Sequence, residues 1–164
     1  MRRSTVHTKS SRAMPDHPTP ADYERDLYAW ALENARLLRT GRLSEIDAAN
    51  IAEELEDMGR SERRSLKSHL RVLLLHFLKW QFQPMLQSPS WRHSIRNARD
   101  QIDEILEESP SLERQLTGLL ETEYRKARRH AVEETGLAEA AFPATCPYPA
   151  QDVRDPDFLP GEEG

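Results

Sequence analysis

The sequence predicts an all-α chain, a helix bundle of four to five helices closed by a proline-rich C-terminal strap. Apolar residues recur at three- and four-residue steps through most of residues 19–136, the period of an amphipathic helix. Prolines and glycines fall where those runs begin and end, as helix start and stop signals do. No stretch alternates apolar with polar residues as a half-buried strand would, and no internal repeat is visible.

The first run opens at Thr19, a capping residue, with Pro20 in the first turn and Asp22 and Glu24 at the positive end of the helix dipole. Tyr23, Leu27, Trp30, Ala31, Leu37 and Leu38 follow at helical spacing, and Gly41 offers a left-handed stop. A second start is expected at Ser44, where Ser44-x-x-Asp47 resembles a capping box with aspartate in place of glutamate. Ile51, Leu55 and Met58 extend its apolar face beside the acidic Glu53, Glu54, Glu56 and Asp57. The pattern resumes through Leu66, Leu70, Leu73, Leu74, Phe77 and Trp80. One helix from Ser44 to Phe82 would run about 58 Å at about 1.5 Å per residue. That is about twice its neighbours, so a bend or break is expected around Gly59–Ser61, with a straight rod as the alternative.

Pro84 ends this run, and Ser88-Pro89 opens the next, with Trp91, Ile95, Ala98, Ile102 and Ile105 facing inward. Ser109-Pro110 repeats the device for a last long helix carrying Leu112, Leu116, Leu119, Leu120, Tyr124 and Ala127. Its basic run Arg125, Lys126, Arg128 and Arg129 is read as complementing the negative helix end, and Gly136 as the stop. Prolines at 143, 147, 149, 156 and 160 then exclude regular helix, while Phe142, Tyr148 and Phe158 suggest a strap against the bundle. The domain reading is therefore a disordered basic tail over 1–18, a bundle over 19–136 and an irregular cap over 137–164.

Composition sets the outer limits. A chain of 164 residues suits one domain with a real core. Its net charge of −5 argues against wholesale nucleic-acid binding. Cys146 is the only cysteine, so no intramolecular disulfide is possible. No run of about 18 apolar residues exists to span a membrane. Arg2 and Arg3 form a twin-arginine start, but Ser4 to Pro20 is polar throughout, so no signal peptide is read and a cytoplasmic location is expected. The excess of arginine over lysine points to a GC-rich bacterial genome.

Several stretches together resemble a bacterial, all-helical family: the domain-of-unknown-function family twenty-nine. They are Tyr28-Ala-Trp30, Ile51-Ala-Glu-Glu-Leu55, Met58-Gly-Arg-Ser-Glu62, Leu74-Leu-His-Phe-Leu-Lys-Trp-Gln81, Ser109-Pro-Ser-Leu112, Glu134-Thr-Gly-Leu137 and Cys146-Pro-Tyr148. The resemblance covers roughly residues 22–160 and implies a fold and a bacterial source. It brings no activity with it.

Four groups of residues bear on chemistry. Glu54, Glu62, His69 and His76 form a candidate polar site, with Glu62 and His76 as weak metal ligands. Carboxylates and imidazoles at a helix interface are what di-metal bundles use. Glu62, His69 and His76, however, stand seven residues apart, about 10.5 Å along a helix, and Glu-x-x-His spacing is missing from this helix. Asp100, Asp103 and Glu104 would be the carboxylates from another helix. Trp80, Trp91 and Lys79, near Gln81 and His76, form a candidate aromatic pocket around Pro84, for which core packing is the plainer reading. Two basic stripes, Arg92/Arg96/Arg99 and Arg60/Arg63/Arg64/Lys67/Arg71, either read phosphates or pair with the acidic Glu53–Asp57 segment. Cys146 is read as a packed structural thiol, and no nucleophile elbow, phosphate loop or Cys-x-x-Cys pair occurs.

The functional expectation is a non-enzymatic protein-interaction module with an unidentified protein partner, no cofactor, no membrane and a possible homo-oligomeric state. A metal-binding helical-bundle enzyme or sensor is the first alternative. A nucleic-acid-associated module is the second, disfavoured by the net charge.

Overall fold

The structure, a computed structural model, describes residues 20–161; the expected tail, the Thr19 cap and residues 162–164 lie outside the described residues. The described residues are all-helical, with six α-helices joined by turns and short 3-10 segments and no strand among them. They are α1 (Pro20–Arg25), α2 (Leu27–Arg39), α3 (Ala48–Phe82), α4 (Pro89–Glu108), α5 (Leu116–Thr135) and α6 (Ala150–Arg154). By contacts the chain divides between Asp57 and Met58, inside α3, into two compact units.

In the N-terminal unit the single first helix expected from periodicity is broken at Asp26. The Asp26 carboxylate accepts a hydrogen bond from the Ala29 N–H at 2.9 Å, which caps α2 and turns the Asp26 backbone out of helical geometry (φ −153°, ψ 82°). A side chain that binds its own downstream amide competes with helix continuation. The expected start at Ser44 is also displaced: α3 begins at Ala48, and Asp47 takes the cap, accepting from the Asn50 N–H. Asp47 wins because its other bonds hold it there. It accepts from Trp30 Nε1 at 3.1 Å and Asn50 Nδ2 at 2.8 Å, while its own N–H donates to Asn34 Oδ1 at 2.9 Å. Asn34 Nδ2 donates in turn to the Trp30 carbonyl, so a buried polar net joins α2 to the start of α3. Tyr23 packs edge-on against Trp30 and donates its hydroxyl to Glu54 at 2.6 Å.

No break occurs at Gly59–Ser61. Residues 48–82 form one continuous helix, about 52 Å long at about 1.5 Å per residue. A single glycine without a competing cap costs a helix only about 1 kcal/mol, too little to interrupt a helix anchored by tertiary packing downstream.

From Met58 onward a larger core forms. Leu66, Leu70, Leu73, Leu74, Phe77 and Leu78 of α3, Ile95 and Ile102 of α4, and Leu119, Tyr124 and Ala127 of α5 are all almost fully buried. Ser88 caps α4 by accepting from the Trp91 N–H, with Pro89 in the first turn as expected. At Ser109-Pro110 the repeat of that device fails. Ser109 makes no side-chain cap bond there, and a 3-10 segment, Pro110–Gln115, precedes α5. Gly136 adopts the left-handed conformation (φ 71°) just beyond Thr135, where a Cβ would be strained.

The segment after Gly136 carries α6, a short helix at Ala150–Arg154. This corrects the expectation of purely irregular chain: only the positions of prolines forbid helix, and 150–154 contains none. Phe142, Tyr148 and Val153 are buried in the core. Tyr148 stacks edge-on with Phe77 at 5.1 Å and donates its hydroxyl to Gln81 at 2.8 Å. The Tyr124 hydroxyl donates to the Pro143 carbonyl at 2.8 Å. Arg99, buried on α4, is the main polar tie: Nε donates to the Val153 carbonyl at 2.8 Å, Nη1 to Pro156 at 3.2 Å and Nη2 to Phe158 at 3.1 Å.

Candidate functional site

The predicted polar site does not assemble as a ligand cluster. Glu54 is engaged by Tyr23. Glu62, His69 and His76 are half-buried at seven-residue steps along α3, a spacing that keeps them apart along the axis. His76 donates Nδ1–H to the Val72 carbonyl one turn back at 2.8 Å, and burial lowers its pKa below the ordinary value. Among the described residues, no group of three or more His, Cys, Asp or Glu side chains is placed to hold a metal ion.

The aromatic group is only partly brought together. Lys79 lies over the Trp91 ring, 4.7 Å from its centroid, and pairs with Glu134 at 2.7 Å. Trp80 is buried in the core with Arg92 above its face at 5.3 Å, and its Nε1–H has no partner among the described residues. The neighbouring turn exposes Met85 and Leu86. Cys146 directs its Sγ at the Tyr148 carbonyl, 3.5 Å away, and burial pushes the thiol above its ordinary pKa.

The basic stripes are rearranged more thoroughly. Arg99 leaves the predicted α4 stripe for the interior, because position 99 sits on the apolar seam between Ile95 and Ile102. On α3, Lys67 and Arg71 meet a carboxylate that composition and motif reading passed over. Glu123 of α5 is fully buried; it accepts from Arg71 at 2.7 Å and Lys126 at 2.8 Å, with Lys67 at 3.7 Å. Burial works to raise the Glu123 carboxyl, but hydrogen bonds from Lys126 and Arg71, with their charges, outweigh it and hold the pKa below its usual value. The signal was present: Glu123 falls three residues after Leu120 and four before Ala127, on the inward seam of α5.

The run Arg125–Arg129 does not complement the helix end: α5 continues to Thr135 and has no basic residue in its last turn. The run instead lines an open cleft of about 480 Å³ with Thr122 and Glu139. A second cleft of about 380 Å³ shares Thr122 and is lined by Arg63, Lys67, Arg114 and Gln115.

The N-terminal unit carries a surface of different character. Among its described residues Trp30 and Leu37 are the buried apolar side chains, whereas Leu27, Tyr28, Leu32, Leu38, Leu43 and Leu55 are exposed. On α2, Leu27, Ala31 and Leu38 form one row and Tyr28 and Leu32 a second beside it, turned away from Trp30 and Leu37. This corrects the apolar runs expected from periodicity: of their members Leu27, Ala31, Leu38, Leu55 and Met58 are exposed. Between residues 20 and 57 stand four arginines and ten carboxylates; with Arg2, Arg3, Lys9, Arg12 and Asp16 the whole unit, residues 1–57, has three negative charges in excess.

The model of the family described as Domain of unknown function DUF29 matches residues 23–159. The chain belongs to that family. The match takes in both units of this DUF29 chain and nearly all of its described residues. No curated protein and no solved structure matches it. No helix among the described residues is long and apolar enough to cross a membrane.

Proposed function

We propose that this DUF29 chain is a non-enzymatic protein-interaction module, and that its N-terminal unit receives a basic amphipathic helix from another protein. The observation that carries the reading is the double row of exposed apolar side chains on α2, with Tyr28 76% and Leu32 54% exposed, in a unit of net negative charge. An apolar stripe wider than about 100° normally faces a core or a partner. Covering four such half-exposed side chains would contribute on the order of 4–8 kcal/mol before the costs of association. The charge chooses the occupant: a second copy of the same surface would set one net negative unit, three charges in excess, against another, whereas lysines and arginines flanking an apolar face would be attracted. A cytoplasmic location accords with this reading and with a chain holding a single cysteine.

The test uses the full chain and two synthetic 18-residue amphipathic helices of identical apolar face, one with lysine and arginine on its polar face and one with glutamate. Titration calorimetry is expected to give micromolar binding of the basic peptide alone, weakened at least tenfold by Leu32→Glu. Equal binding of both peptides, or of neither, would refute the proposal. Sedimentation showing a dimer that Leu32→Glu dissolves would assign the surface to a second copy instead.

A further inference from the structure

Two clefts along α5, one lined with α3 and one with residues 139 and 144, concentrate positive charge in a chain whose net charge is negative. Arg63, Lys67 and Arg114 line the first, and Arg125, Lys126, Arg128 and Arg129 the second, with Thr122 common to both. Glu139, the carboxylate lining the second, is engaged by Arg128 at 2.8 Å. Glu123 beneath them is shared by Lys67, Arg71 and Lys126, so three cations surround one buried anion and the cluster keeps an excess of positive charge. Arg63 is held by the neutral Gln115 at 2.9 Å. Arg114, Arg125 and Arg129 are exposed and have no ion-pair partner among the described residues.

Such an arrangement is not needed for folding. The Glu123 cluster already joins α3 to α5, and the additional arginines pay self-repulsion with no internal return. The same fixed cations suit an external oxyanion chain. Their run along α5 from Gly118 to Arg129 covers about 16 Å at about 1.5 Å per residue, room for several consecutive phosphates. Arginine forks, the Thr122 hydroxyl and the Gln115 amide supply the donors that phosphate oxygens accept from. Neither cleft is lined by an aromatic side chain for stacking a base. We propose that these two clefts along α5 bind the phosphodiester backbone of a nucleic acid, through phosphate contacts and without base readout. The net charge of −5, which disfavoured a general affinity for nucleic acid, leaves room for a local one because charges beyond about 10 Å are largely screened at physiological salt.

The proposal is independent of the peptide surface on α2. It is tested by fluorescence anisotropy of the full chain with labelled 20-nucleotide DNA, single-stranded and duplex, and RNA, with poly-glutamate as competitor. Sequence-independent binding is expected at 50 mM salt. If about four phosphates are neutralised, raising the salt to 200 mM weakens it by roughly 50- to 150-fold. Arg114→Glu and Arg125→Glu, at exposed positions outside the Glu123 cluster, are each expected to weaken binding at least tenfold. Arg96→Glu, exposed on α4, controls for net charge and is expected to change it less than threefold. No binding at 50 mM salt would overturn the proposal, as would equal losses in all three variants. Displacement by poly-glutamate at matched charge concentration would overturn it in favour of an acidic protein segment.

Discussion

Replacing Arg99 with methionine tests how the C-terminal segment is held. Arg99 is only 4% exposed, and its three strongest bonds go to the carbonyls of Val153, Pro156 and Phe158 at 2.8, 3.2 and 3.1 Å. Bonds from a charged donor are worth about 1.5–3 kcal/mol each, so three set a gross scale of about 4.5–9 kcal/mol. Methionine removes the cost of keeping a guanidinium out of water, which offsets several kcal/mol of that sum. It also leaves three carbonyls without their donor in a confined site. A net loss of about 3–4 kcal/mol is expected, or roughly 10 °C in Tm for a chain of this size. Arg99→Lys keeps the charge but not the planar fork, and should lose at least half as much. Urea denaturation gives the size of the effect, and hydrogen exchange at the Val153 and Phe158 amides gives its location. A loss below about 1 kcal/mol, or unchanged exchange at both amides, would refute the assignment of Arg99 as the main tie.

Three further outcomes follow from the same structure. Gly59→Ala should stabilise the chain by about 0.5–1 kcal/mol, because Gly59 is helical and an added Cβ meets nothing within 4 Å; a destabilised variant by thermal melting would mean that α3 needs the glycine to bend. Glu123→Gln should cost about 2–4 kcal/mol by leaving Lys67, Arg71 and Lys126 facing one another without their anion. Because like charges then repel, urea melts at high salt should recover part of the loss, and a salt-independent loss would contradict this account. His76 has a folded-state pKa below the ordinary 6.5, chiefly from burial, so as pH falls through 6.5 the unfolded chain takes a proton that the folded chain refuses. Stability should therefore be full above that value and decline below it; His76→Gln should flatten the pH profile of Tm between 7.5 and 5, and an unaltered profile would show another group responsible.

Much of the helix pattern could be read from periodicity and punctuation, and the failures have local causes. Ser88-Pro89 and Gly136 act as the rules for caps and left-handed stops say, since these depend on a few adjacent residues. Ser109-Pro110 carries the same local signal, yet a 3-10 segment intervenes before α5. Ser44 lost its place as a cap to Asp47 because Asp47 also receives Trp30, 17 residues away. No capping rule contains that distance.

The candidate sites were less legible. Side chains that helical spacing sets on one seam are not thereby brought to one point, so Glu62, His69 and His76 remain spread along α3. What the sequence by itself determined was the all-α class, the long helices and the family, because helical period and proline and glycine stops are written in near neighbours. The tertiary structure alone decided that Asn34, Arg99 and Glu123, polar residues on apolar seams, would be buried with partners far along the chain. It decided too that the basic run of α5 would meet the α3 stripe over a shared carboxylate, and that α2 would keep an apolar face outward. Burial and charge pairing are sums over neighbours in space, and a helical period says which way a side chain faces without saying what stands opposite.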